Sequence, residues 1–430
     1  MHDIVIIGAG PAGSTLALIA ALDGLDTVLV DARGPEKPAG ADTRNYAIVR
    51  GSWRLLKAAG VAGRIDPAGL QPLNGLEACD GARHWFGAPS LLFSNDDIGE
   101  DEDEGTLGYM VEAETLQAAL DEAVAAASGL KVLRPELFSG YEPVPGGLAI
   151  ALEHGDTIQT RLLAGCDGMA SPVRNAAGIG VEGRNYGKSV FAANVRLSQP
   201  HDGIARQLFT PEGPFATLPL TGDRANLAWY MKSGAAEALA ARTPAEIEAE
   251  LNHRFSGFAG RMELDGPASA YPLKLQIART MVADRVALVG DAAHRINPLA
   301  GQGLNLGFKD AAALGELAAD AVRAGLDPGA PDVLESYRRW RRFDATMTSL
   351  GMDAIDRVYS NDNPVLKPVR SLALAAADRL APLRGLLARQ ASAAQRGLPR
   401  RMQPVDKGAS PASGWHNDAP VAGSQAFGHE

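Results

Sequence analysis

Six residues near the N-terminus, Gly8-Ala-Gly10-Pro-Ala-Gly13, restrict this chain more than any other feature. They follow a β-branched run at 3–7 that reads as a buried parallel strand, and they open an apolar helix at 13–23. A second apolar run at 27–31 closes a βαβ unit of roughly 30 residues. Gly8 permits the tight turn, Gly10 leaves the backbone open to a diphosphate, and Gly13 lets the helix pack on the sheet. The helix N-terminus supplies N–H donors and the positive end of its dipole. Asp31 ends the second strand, where a carboxylate accepts from a ribose 2′-hydroxyl and repels a 2′-phosphate. These parts together predict dinucleotide binding, without distinguishing a nicotinamide from a flavin.

Two later segments make that choice. Gly165-Cys-Asp167-Gly168-Met-Ala-Ser171-Pro-Val-Arg174 places an acid and a base around a glycine turn. Further on, an apolar strand at 285–289 runs into Gly290-Asp291-Ala-Ala-His294, then Asn297-Pro298-Leu-Ala-Gly301-Gln302-Gly303-Leu304-Asn305-Leu-Gly307 and Asp310. A strand-end acid can hold a ribityl hydroxyl, and a second glycine-rich helix start can face a flavin's pyrimidine edge and stabilise charge placed there on reduction. A nicotinamide cofactor needs no second cradle, so the expected resident is FAD.

With these motifs in order, the chain resembles the flavoprotein aromatic hydroxylases of the p-hydroxybenzoate hydroxylase type. Within them it is most similar to the ubiquinone-biosynthesis hydroxylases, the UbiH/UbiF/VisC-type branch. The stretches Leu107-Gly-Tyr-Met-Val-Glu112, Gly213-Pro-Phe-Ala-Thr-Leu-Pro-Leu220 and Tyr271-Pro-Leu273 fit that branch. The resemblance implies that Asp31 holds the adenosine ribose and Asp291 the ribityl chain or diphosphate. It implies that Asp167 sits at the flavin diphosphate and the nicotinamide approach. Leu304 and Asn305 would offer backbone N–H groups to the pyrimidine, Arg44 would lie near the phosphates, and Pro298 would line the pocket where oxygen is activated. Glu114 stands where many relatives carry arginine, and Ala113 where many carry asparagine, which moves the expected flavin contact to Gln117. Arg50 replaces a residue that is commonly small.

The 430 residues suffice for two packed domains and a tail. With 41 Lys+Arg against 51 Asp+Glu the net charge is -10, which argues against a general affinity for nucleic acid. Two cysteines, Cys79 and Cys166, give no disulfide framework or metal spacing, so a reducing cytoplasmic compartment is expected. The apolar stretch at 4–21 lacks a basic leader and is broken by glycines and Pro11, so it reads as strand, turn and helix rather than a signal sequence. No apolar run is long enough to span a bilayer. Acids at 96–104 read as a solvated loop.

The expected fold is α/β: a Rossmann-like FAD-binding domain on a parallel sheet (1–70, 105–180 and 272–358), with a smaller substrate domain on an antiparallel sheet (71–104 and 181–271). Helices are expected at 52–59, 114–127, 244–258 (with Thr243 as N-cap) and 303–324, and antiparallel strands at 191–197, 207–210, 214–220 and 225–231. A helical C-terminal segment at 359–401 precedes a disordered tail at 402–430. Between 367 and 401 eight Lys and Arg stand against the single acid Asp378, with leucines interleaved. That stretch fits either a surface helix packing its leucines inward or an interfacial helix on anionic lipid, on the inner face of the membrane, or a docking surface for a partner.

His294 is expected to pack and hydrogen-bond rather than to act as a base. No second dinucleotide fingerprint, CxxC pair or Trp-x-Trp pair is present, which counts against flavin disulfide reductases and flavin halogenases. The resulting expectation is an FAD-dependent monooxygenase. NAD(P)H visits to reduce the flavin, and one atom of O2 passes to the aromatic ring of a polyprenylated phenol in ubiquinone biosynthesis. Alternatives are a hydroxylase of a small soluble phenol, a flavin-dependent isoprenoid reductase, and a flavoprotein kept as a partner-binding subunit.

Overall fold

The computed structural model describes residues 1–34, 44–81, 90–97, 105–210, 212–295, 302–341 and 397–404. Its first layer is an eight-stranded sheet. Leu130–Leu133, Thr27–Val30, His2–Ile7, Thr157–Gly165 and Val286–Leu288 lie side by side and parallel, with Ile4 opposite both Leu162 and Thr27. The apolar side chains of its inner strands are buried on both faces, the environment in which unbroken Val/Ile/Leu runs are stable, while the edge strand Leu130–Leu133 is partly buried. Helices Pro11–Leu22 and Gln302–Arg323 pack together and share one large core with this sheet. A hairpin, Phe138–Val144 and Gly147–Leu152, adds antiparallel to the start of Thr157–Gly165. It is not among the strands expected from the sequence.

The second layer is a nine-stranded sheet, antiparallel except where Ile204–Thr210 runs parallel to Gly75–Asp80. The expected strands are present: Val181–Leu197, Ile204–Thr210 and Arg224–Lys232 are longer than expected, and Gly213–Pro219 is shifted by one residue. Strand Ser269–Ala278 pairs with Val181–Leu197 at both ends, so this sheet continues past residue 271, where the division between domains was expected. Alternation gives each strand two faces. Phe191, Ala193, Val195 and Leu197, with Ala225, Leu227 and Trp229, join a core under helix Pro244–Ala259. There Phe215 stacks on Phe255 with centroids 3.8 Å apart. The intervening residues, Ala192 and Asn194 with Arg224 and Asn226, occupy the opposite face. Thr243 caps that helix as expected, in a capping box with Glu246.

A three-stranded sheet, Asn45–Val49, Gly108–Glu112 and Gln71–Leu73, joins the two layers. Arg224 ties it to the second layer, bonding Glu112 at 3.0 Å and Asp265 at 2.6 Å. Most of the basic C-terminal stretch and of the acidic run falls outside the described residues. At its end Leu398 and Met402 are buried, Arg400 pairs with Asp320 at 2.6 Å, and Arg401 pairs with Asp23 at 2.7 Å. Among the described residues no helix is long and apolar enough to cross a membrane.

Candidate active site

The first glycine segment is shaped by backbone contact. Gly8 has φ 103°, and a Cβ there would stand 2.5 Å from the Cys166 carbonyl oxygen. At Gly13 a Cβ would stand 2.0 Å from the Gly8 carbonyl oxygen. Gly10 differs, because a Cβ there would meet nothing within 4 Å. It is the N-cap of Pro11–Leu22, and no side chain caps that helix, so the first-turn donors face open space. Asp31 accepts from the Ala9 N–H at 2.5 Å and from the Arg33 backbone N–H and Nε at 2.9 and 2.8 Å. Gln117, from helix Ala113–Ala126, donates to the Ala9 carbonyl at 3.2 Å. Arg33 also donates to that carbonyl. It is missing from the sequence reading, although a base two residues beyond the strand-end acid was its signal.

The second segment meets the first directly. A Cβ on Gly307 would lie 3.3 Å from the Gly290 Cα and 3.5 Å from the Ala12 Cβ. Asp291 is exposed on the cleft, and its carboxylate takes no hydrogen bond from a described residue. Gly303 and Leu304 line the same cleft in the first turn of Gln302–Arg323. Asn305 is buried, and its side chain donates to the Ala47 carbonyl at 2.7 Å and accepts from the Val49 N–H at 3.1 Å. Those bonds fix the helix start to strand Asn45–Val49, a task additional to the backbone contact expected of Asn305. Pro298 and Gly301 lie outside the described residues.

Behind Gly290 sits a buried ionic cluster that the sequence did not announce. Asp310 bonds His294 Nε2 at 2.6 Å, Arg341 Nε at 2.7 Å and the Gly290 N–H at 3.0 Å. Burial pushes the Asp310 carboxyl up, but His294 and Arg341 outweigh it and hold the group below the ordinary carboxylate range. His294 is buried and hydrogen-bonded there, the packing expected of it. The glycine turn at 165–168 is braced similarly: Asp167 accepts from Ser171 Oγ at 2.6 Å and from the Val173 N–H at 2.9 Å. Both oxygens of Asp167 thus hold the start of helix Pro172–Ala176, beside the cleft rather than in its lining.

Gly10, Asp291, Gly303 and Leu304 of the two glycine segments line a cleft of about 590 Å³, within the range of cofactor and ligand sites, whereas Asp31, Gln117 and Asn305 lie outside its lining. One wall carries Gly10, Pro11, Gly290, Asp291, Gly303 and Leu304; the facing wall carries Ala192, Asn226, Tyr271 and Leu273 of the antiparallel sheet, with Arg44 at the side. Burial raises the Tyr271 phenol, partly offset by Arg44 and Arg295. FAD fits these residues: an uncapped helix N-terminus, a glycine with vacant space where a Cβ would be, and a carboxylate at the end of each of two strands. Among the described residues no cluster of His, Cys, Asp and Glu could hold a metal ion.

Fold and cleft together define a two-layer FAD enzyme whose antiparallel sheet covers the cofactor cradle. Residues 1–348 match the family described as "FAD binding domain". Ubiquinone hydroxylase UbiL of Rhodospirillum rubrum is 36% identical over 391 residues, covering 90% of this chain and 89% of that protein. The 3-demethoxyubiquinol 3-hydroxylase of Escherichia coli is 33% identical over 394 residues, 90% and 97% of the two chains. In fold the chain is similar to p-nitrophenol 4-monooxygenase PnpA from Pseudomonas putida, with a TM-score of 0.73 at 19% identity, over 91% and 97% of the chains. The chain belongs to this FAD-binding family, in its branch of ubiquinone-biosynthesis hydroxylases. It is an FAD-dependent aromatic-ring monooxygenase that takes its reducing equivalents from NAD(P)H.

Proposed function

We propose that the chain hydroxylates the aromatic ring of a polyprenylated phenol on the route to ubiquinone. The observation that supports this best is the single cleft shared by both glycine segments and the antiparallel sheet, in a chain alike over nine-tenths of its length to named ubiquinone hydroxylases. Held by these residues and reduced by NAD(P)H, FAD would activate O2 so that one oxygen atom passes to the ring and the other leaves as water. The chain's own residues bind, orient and exclude water.

In this reading Gly8, Gly10, Gly13 and Asp31 hold the adenosine end, with Gln117 and Arg33 fixing the turn. Arg44 and the braced turn at Asp167 face the diphosphate, Asp291 takes the ribityl chain, Leu304 and Asn305 offer backbone N–H groups to the pyrimidine, and Gly301 and Gly303 belong to the same cofactor-binding segment. Pro298 lines the oxygen side. Enzyme purified with FAD and NADH or NADPH should consume O2 and add one oxygen atom to a prenylphenol. Deleting the gene should accumulate an under-hydroxylated quinone precursor, identified by mass; an unchanged quinone pool sinks the reading.

A small soluble phenol is the second reading, favoured by the cations Arg44, Lys274 and Arg295 on the cleft. It predicts turnover of a phenol without a prenyl chain at an equal kcat/KM. A greasy substrate and the basic stretch at 367–401 also favour a peripheral location on the inner face of the membrane in this reading. Binding of the full chain to anionic vesicles, lost when the arginines between 370 and 396 are replaced, tests that location.

A further inference from the structure

We infer that Asn226 accepts the substrate's phenolic O–H on its side-chain oxygen and so sets which ring hydroxyl faces the antiparallel sheet. The inference deepens the proposed function and rests on it. Asn194 and Asn226 are directly opposite on neighbouring strands, on the face turned away from the Phe215–Trp229 core. Asn194 Oδ1 accepts two amide N–H groups, from Asn226 Nδ2 at 2.8 Å and from Asn45 Nδ2 at 3.0 Å. Two donors on one oxygen fix the Asn226 amide by its nitrogen, so its oxygen is the end left to accept. Asn226 is half-buried and lines the cleft opposite Gly290 and Leu304. Asn45 belongs to the three-stranded sheet, and Arg224, two residues before Asn226, is anchored there by Glu112. The acceptor is thereby held rigid against the cofactor side.

A phenol that donates to a fixed carbonyl oxygen keeps electron density on its ring and cannot rotate its hydroxyl away. A site built around such a bond discriminates against a ligand lacking the donor, because the acceptor is then desolvated and unmatched. The chemical class recognised is a free phenol, and a methyl aryl ether is rejected.

The test compares a prenylated phenol with its O-methyl ether on the full-length FAD-loaded protein, reading binding from the perturbation of flavin absorbance. Wild type should prefer the phenol by roughly tenfold, and Asn226→Leu, of similar volume without an acceptor, should lose that preference. With NADH or NADPH and O2, the variant should also release more peroxide per phenol hydroxylated. If Asn226→Leu loads no FAD, the wild-type pair alone decides, since equal binding of phenol and ether overturns the inference. Wild type that turns the phenol over while Asn226→Leu keeps the full preference also overturns it, and leaves the proposed function standing. Wild type that binds neither ring overturns both.

Discussion

At residues 8–13 the backbone is pressed against itself, with Gly13 set so that a Cβ would lie 2.0 Å from the Gly8 carbonyl; among the described glycines of 290–310 the tightest such approach is 3.3 Å, between Gly307 and Gly290. The first cradle is shaped by steric exclusion. The second is looser and is held from behind by Asp310, His294, Arg341 and the Gly290 N–H. Steric constraint leaves its mark on residue identity, because only glycine fits. A buried ion pair does not, since its members come from any distance along the chain and look like ordinary surface residues until they are placed.

The comparison breaks first at Gly13. Gly13→Ala puts a methyl into a carbonyl oxygen on a segment with no freedom to retreat, and we expect a loss above about 4 kcal/mol, read as failure to recover folded protein. A variant that melts like wild type would show that the first cradle is not sterically locked. Asp310→Asn attacks the other kind of support. It removes the charge that pairs with Arg341 inside the core, at an expected cost of about 3–5 kcal/mol in urea unfolding. A loss under about 1 kcal/mol would mean that the second cradle stands without its ionic brace.

Acid should expose the same brace. The native Asp310 carboxyl titrates below its unfolded value of about 3.9, so the unfolded chain takes up the proton first. Its stabilising contribution is complete above the unfolded value and is lost as pH falls through the depressed native one. The stability gap between wild type and Asp310→Asn should therefore be widest near neutrality and narrow on acidification. A gap that stays constant down the acid limb would contradict the assigned direction.

The same division explains what was legible in the sequence. Three parallel strands (3–7, 27–31 and 285–289), the glycine turns, the Thr243 cap and the antiparallel strands from 191 to 231 follow from local pattern, and the structure has them with ends shifted by a few residues or, for Val181–Leu197, extended; the parallel strands Leu130–Leu133 and Thr157–Gly165 were not among those expected. The hairpin at 138–152 was not recovered. Its strands are partly exposed, carry Pro143, and gain regularity only by pairing with Thr157–Gly165. Long-range polar contacts were invisible for a different reason. Asn305 reaches Ala47 and Val49, Asn45 reaches Asn194, and Asp310 reaches Arg341, all bonds that exist only once the layers are stacked.

The smallest effects on stability should come with large effects on the flavin, and Gly10 and Gly303 separate the two quantities. Gly10 has φ −67° and ψ 177°, a conformation open to any residue, and a Cβ there meets no atom within 4 Å. Gly10→Ala should thus cost the apoprotein under about 1 kcal/mol, the loss of a tolerated N-cap. Its methyl would nevertheless project into the cleft where the diphosphate approaches, and FAD affinity should fall at least tenfold, about 1.4 kcal/mol. Gly303 is equally open but lies in the first turn of a helix, where alanine is a better helix former. Gly303→Ala should therefore stabilise the apoprotein slightly, by up to about 0.5 kcal/mol, while weakening FAD. Opposite signs in apoprotein melting and a shared loss in flavin titration would assign both glycines to the cofactor rather than the fold. Undiminished FAD binding by Gly10→Ala would mean that the diphosphate does not lie against that turn.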